Sequence, residues 1–132
     1  MSAKTGKSKD KPKTICEEGL PQDLEPTGIP RVNRTDVIAF DFYICRANSQ
    51  ILVYLDKEII ADVLGQDHVS LLLPMLGAGA VHKLYWSVLG AGEEWQTRAE
   101  IKINERVSFL RRKKNSDKNP ALAGFWYFEV VK

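Results

Sequence analysis

Residues 81–105, VHKLYWSVLGAGEEWQTRAEIKINE, decide how this chain folds. From Trp95 onward the odd positions Trp95, Thr97, Ala99, Ile101 and Ile103 are apolar or small, while Gln96, Arg98, Glu100, Lys102 and Asn104 between them are polar. A repeat of two sends alternate side chains to opposite faces of an extended chain, so this half reads as a strand with one buried face. Upstream, Leu84, Trp86 and Val88 share one phase and Tyr85, Ser87 and Leu89 the other. Gly90 and Gly92 supply backbone freedom between the halves, and the stretch is expected to close as a β-hairpin.

The same alternation recurs on both sides. Ile38, Phe40, Phe42 and Ile44 alternate with Val37, Ala39, Asp41 and Tyr43, and a turn at Ala47, Asn48 and Ser49 would let residues 51–55 return as an antiparallel partner. Residues 68–73, closed by Pro74, suit a short buried strand. Asn104-Glu105 offers a tight turn into a strand starting at Val107, residues 113–124 read as a polar loop, and the closing FWYFEVV carries large side chains on both faces, which places it inside a sheet. Residues 56–65 stay open. Ile59, Ile60, Val63 and Leu64 fit one face of a short helix over 57–64, capped by Asp56 and stopped by Gly65, and fit a further strand equally well. The tetrapeptide LGAG at 76–79 recurs at 89–92 and reads as two turn regions, since neither copy belongs to a GxGxxG or is followed by Lys-Ser or Lys-Thr.

Six or seven strands joined by short turns predict an all-β chain, a two-sheet antiparallel β-sandwich, with an immunoglobulin-like winding as the commonest way to arrange that number and a small barrel as the alternative. Residues 1–30, rich in Lys, Ser, Gly and Pro, read as a basic segment that is disordered or draped along the body, dispensable for folding as far as about residue 28. Residues 31–132 form the single domain. Residues 1–13 carry a charge of +4 and residues 111–118 another +4, which leaves −6 for the rest of a chain whose net charge is +2. The opening residues lack the apolar stretch of a signal peptide and no run is long enough to span a bilayer, so a cytoplasmic protein without membrane contact is expected. In that compartment Cys16 and Cys45 stay thiols, and no disulfide is expected between a tail position and a strand end.

Catalysis finds little purchase. The histidines, His68 and His82, each open an expected strand without an elbow or triad motif; Ser87 lacks GxSxG; His68, Asp67 and His82 have no metal-ligand spacing. Glu93 and Glu94 beside Trp95 read as solvation of an exposed turn rather than a calcium or sugar site. No catalytic residue, metal or cofactor is expected. The aromatics say more. Tyr85 is out of phase with Trp86, and Phe125 with Trp126, so one sheet face cannot hide them all. Tyr85, Trp86, Trp95, Trp126 and Tyr127 are therefore the expected contact residues of a protein-interaction or self-assembly module. Two other ligands compete: single-stranded nucleic acid, held by the basic tail and a loop containing Arg111, Arg112, Lys113 and Lys114, and a carbohydrate stacked on the aromatics.

Overall fold

Alternating burial builds nine strands in the computed structural model, which describes residues 15–46, 48–74, 76–91, 95–115 and 121–131. In chain order they are β1 (Arg31–Asn33), β2 (Ile38–Cys45), β3 (Asn48–Leu55), β4 (Glu58–Leu64), β5 (His68–Leu72), β6 (Ala80–Ala91), β7 (Trp95–Ile103), β8 (Arg106–Asn115) and β9 (Ala121–Val131). A 3-10 turn, Ile15–Glu17, precedes them. The strands form a five-stranded sheet, β1-β9-β6-β3-β4, and a four-stranded sheet, β5-β2-β7-β8.

The two sheets enclose one core because each strand contributes its apolar phase: Phe40, Phe42 and Ile44 from β2, Ile51 and Val53 from β3, Leu84, Trp86 and Val88 from β6, Ile101 from β7, Trp126 and Phe128 from β9. Fully burying each such side chain stabilises the fold by about 1.5–3 kcal/mol. Trp86 sits at the centre, its ring centroid 5.1 Å from that of Phe40 and 5.8 Å from that of Phe109. Two glycines make room for indole rings: Gly124 lies against Trp86 and Gly90 against Trp95.

Several expectations are corrected. Residues 81–105 are not a hairpin, because β6 and β7 lie in different sheets, and β2 and β3 are divided in the same way. Alternation fixes which face of a strand is apolar but not whether the chain then folds back within its sheet or arches to the facing one; both bury the same residues. Hairpins form at β3–β4 and β7–β8. In the second, Asn104 and Glu105 both adopt positive φ, 51° and 69°, the signature of a two-residue turn. The two packed sheets agree with the expected β-sandwich, but β1 joins β9 in parallel, so one sheet is mixed rather than antiparallel. Residues 57–64 are strand and not helix: β4 pairs with β3 across a bulge that accommodates one extra residue. β5 is an edge strand whose one buried side chain is Val69. The second LGAG is not a turn where it is described, since Leu89 and Gly90 belong to β6.

The cysteines depart furthest from expectation. Cys16 and Cys45 form a disulfide, with Cys16 buried. It pins residues 15–25 as a strap along β7 and β8, where Leu24 exchanges backbone hydrogen bonds of 2.9 Å with Leu110. The expectation of free thiols followed from compartment and chain position, neither of which shows that a tail can lie back across a sheet.

Candidate functional site

The outer face of the five-stranded sheet gathers side chains whose phase points away from the core. Register sets Tyr54 opposite Tyr85 and Tyr85 opposite Phe125 across β3, β6 and β9, with Lys83 opposite Tyr127 in the next row but one. Tyr54 and Tyr85 approach to 5.7 Å between centroids, and Phe125 meets Tyr127 edge-on at 5.3 Å. The Lys83 ammonium lies over three rings, 5.2 Å from Tyr85, 5.4 Å from Phe125 and 5.7 Å from Tyr127. Contacts of this length fall within the range of a cation–π attraction. Phe125 is 51% exposed and Tyr127 40%, and the exposed side chains of Val81, Leu89, Ile59 and Leu64 extend the apolar area along the same face.

Polar groups border this surface. Arg31 pairs with Glu129 at 3.6 Å on one side, and Gln50 donates to Asp62 at 3.2 Å on the other. A depression of about 290 Å³ opens between Tyr54, Asp56, Lys83, Tyr85 and Ser87. Asp56 accepts from His82 Nδ1 at 2.8 Å and from the Lys83 backbone N–H at 3.0 Å. Burial opposes its charge, but these two bonds outweigh burial and hold its carboxyl below the usual carboxylate range. Both of its oxygens are thus already engaged, which weakens the depression as a sugar platform.

The five expected contact residues separate. Trp86, Trp95 and Trp126 are 4%, 1% and 2% exposed and belong to the core, whereas Tyr85 is half-buried and Tyr127 exposed on the outer face. One face cannot hide all the aromatics, which is why the sequence reading names the tryptophans as contacts; but Trp86 shares its phase with Leu84 and Val88, Trp126 with Phe128 and Val130, and Trp95 with Ala99 and Ile101, and phase prevails. Phase would also have found Phe125 and Lys83, which share it with Tyr127 and Tyr85.

The basic residues 111–114 are not in a loop; they lie on β8. Arg111 pairs with Glu25 at 3.5 Å, and Arg112 binds Asp23 at 3.0 Å and donates to the Glu18 and Leu20 carbonyls. Lys113 donates to the Ala123 carbonyl of the facing sheet. Burial, with Arg111 nearby and Glu25 opposing, holds it below the usual lysine range. Lys114 is exposed.

On the outer face of the four-stranded sheet a second group forms by register. His68 lies opposite Tyr43, Tyr43 opposite Arg98, and Arg98 opposite Arg112, a row across all four strands. His68 stacks on Tyr43 at 4.2 Å and contacts Asp41 at 3.3 Å; the Arg98 guanidinium lies 5.2 Å from the Tyr43 ring and donates to Glu100 at 3.1 Å. Burial and the neighbouring Asp41 raise the Tyr43 phenol above its ordinary range, with Arg98 pulling the other way. Among the described residues no group of three His, Cys, Asp or Glu side chains could hold a metal ion, and no helix is long and apolar enough to cross a membrane. Glu93, Glu94 and residues 1–14 lie outside the described residues. Comparison with protein-family models, curated proteins and solved structures gave no match.

Proposed function

We propose that this chain is a non-catalytic protein-interaction module that assembles with a second copy of itself through the outer face of the five-stranded sheet. The observation that carries the reading is the exposed Phe125–Tyr127 pair, continued across the sheet by Tyr85 and Tyr54 and bordered by the Arg31–Glu129 and Gln50–Asp62 contacts. An aromatic centre with a polar rim is the composition of a protein interface. Lys83, the cation at this centre, is drawn down onto three rings, so its charge is partly compensated where a partner would cover it.

A non-catalytic role is supported by how the histidines are used. His82 spends its ring nitrogens on Asp56 and the Gly77 carbonyl, and His68 packs against Tyr43 and Asp41. Sedimentation of the purified chain across a wide concentration range tests the reading. Burial of apolar surface is not screened by ions, so the association should persist as salt rises. A species that stays monomeric at every concentration contradicts it, as does turnover of any substrate.

A further inference from the structure

The assembly face makes no use of the row on the opposite sheet, and that row has an unusual feature. Arg98 and Arg112 stand directly opposite each other on β7 and β8. Like charges in that relation repel, and the pair is tolerated when acceptors lie between the two. Here the strap supplies them. Ile15 accepts from Arg98 at 3.0 Å; Glu18 and Leu20 accept from Arg112 through their carbonyls; Asp23 takes both the Arg112 backbone N–H and its guanidinium. Gly19 sits in the notch itself at φ 103°, where a Cβ would lie 3.0 Å from Arg98 Nη2 and 3.6 Å from Arg112 Nη2. The strap therefore presents backbone oxygens and a carboxylate to two guanidinium forks, the donor geometry that also fits phosphate oxygens.

The fit is incomplete. Among the described residues the buried Nε atoms of Arg98 and Arg112 have no acceptor, and the Arg98 side chain is only 8% exposed. A buried donor without an acceptor is unfavourable, so this cover leaves the arginines short of acceptors. Beyond them, the Tyr43 and His68 rings continue the row, stacked on each other at 4.2 Å with the Arg98 guanidinium 5.2 Å from the Tyr43 ring. Guanidinium groups beside aromatic rings on an open sheet are what a single strand of nucleic acid uses, phosphates on the cations and bases against the rings.

We infer that residues 15–25 occupy, in place of phosphates, a binding site for single-stranded nucleic acid on the β2–β7–β8 face, and that opening the Cys16–Cys45 disulfide uncovers it. A dithiol reductant delivers two electrons and two protons to the disulfide, leaving two thiols, and itself becomes a disulfide. The strap is then held by its hydrogen bonds and the Leu24–Leu110 bridge, contacts for which an oligonucleotide competes. Arg98 keeps Glu100 as a partner while Arg112 and Arg111 lose theirs to the departing strap.

Fluorescence anisotropy of a labelled single-stranded oligothymidylate with the full chain, oxidised and reduced, tests this. Reduction should tighten binding roughly tenfold or more, with affinity falling steeply as salt rises. Arg112→Ala or Tyr43→Ala in the reduced protein should remove the gain while far-ultraviolet dichroism and tryptophan emission stay unchanged. Reduced, folded protein that binds no better than oxidised protein overturns the inference. Should reduction unfold the domain, the oxidised Asp23→Ala/Glu25→Ala variant carries the test: it loosens the strap with the disulfide intact, so tighter binding than wild type supports the site and equal binding overturns it.

Discussion

Replacing Gly124 by alanine adds one methyl group at the centre of the core, and its cost follows from the geometry. A Cβ at Gly124 would lie 2.6 Å from Cε2, Cζ2 and Nε1 of Trp86, which β6 sets directly opposite. Carbon contacts are comfortable at about 3.5–4.0 Å, so the overlap is about 1 Å. The indole cannot retreat, because Phe40 and Phe109 hold it at centroid distances of 5.1 and 5.8 Å. Overpacking of this kind costs about 1–3 kcal/mol, and the boxed ring puts this site at the upper end. Restricting the unfolded chain returns about 0.4–1 kcal/mol, leaving a net loss of about 2–3 kcal/mol. For a domain of this size that is a drop in Tm of about 8–12 °C. Thermal unfolding followed by tryptophan emission measures it, with Gly28→Ala as control: nothing lies within 4 Å of a Cβ there, so its Tm should hardly move. If Gly124→Ala were as stable as wild type, Trp86 would not pack on β9 and the arrangement of the core would be wrong.

Three further expectations follow from the same structure. Ile101 is fully buried opposite Phe40 whereas the Lys102 side chain is 40% exposed, so Ile101→Ala should cost about 2–5 kcal/mol in urea unfolding and Lys102→Ala about 0.5 or less. Cys16→Ser opens a cross-link spanning 29 residues, and chain entropy alone gives a loss of about 3–4 kcal/mol; deletion of residues 1–28 should cost at least as much, and an unchanged Tm would show that the strap does not pack. Asp36, through the Asn33 N–H and Asn104, and Asp56, through His82 and Lys83 against the opposition of burial, are held below the ordinary carboxylate range; their contribution is present above about pH 4 and lost as pH falls through their folded values, so Asp36→Asn/Asp56→Asn should flatten the acid limb of the stability curve.

Strand positions were legible where alternation was strict. The phases of β2 and β7 place Phe40 and Ile101 in the core as the residue pattern dictates, and Asn104-Glu105 forms the expected turn. Sheet membership was not legible. The links after Cys45 and after Ala91 are short and polar or glycine-rich, which suits a hairpin or an arch alike, and the outcome rests on packing with strands distant in sequence. Expecting the tryptophans on the surface overlooked Gly90 and Gly124, whose missing side chains admit the rings. The exposed pair Phe125 and Tyr127 could be read from phase, but the gathering of Lys83 and Tyr54 around them depends on register across three strands. The Arg98–Arg112 row and its strap depend on register, on a disulfide and on a segment whose composition resembles a solvated tail, and none of these has a local signature.

Assembly through the aromatic face is tested most directly by sedimentation equilibrium of wild type beside Phe125→Ser/Tyr127→Ser. Both side chains point outward, so the double variant should keep its Tm. Loss of central interface aromatics costs about 2 kcal/mol or more each, which weakens association about thirtyfold or more per residue. The expected result is a wild type that associates with rising concentration in high salt and a variant that remains monomeric over the same range. A monomeric wild type, or a variant that associates as tightly, would contradict the proposed role.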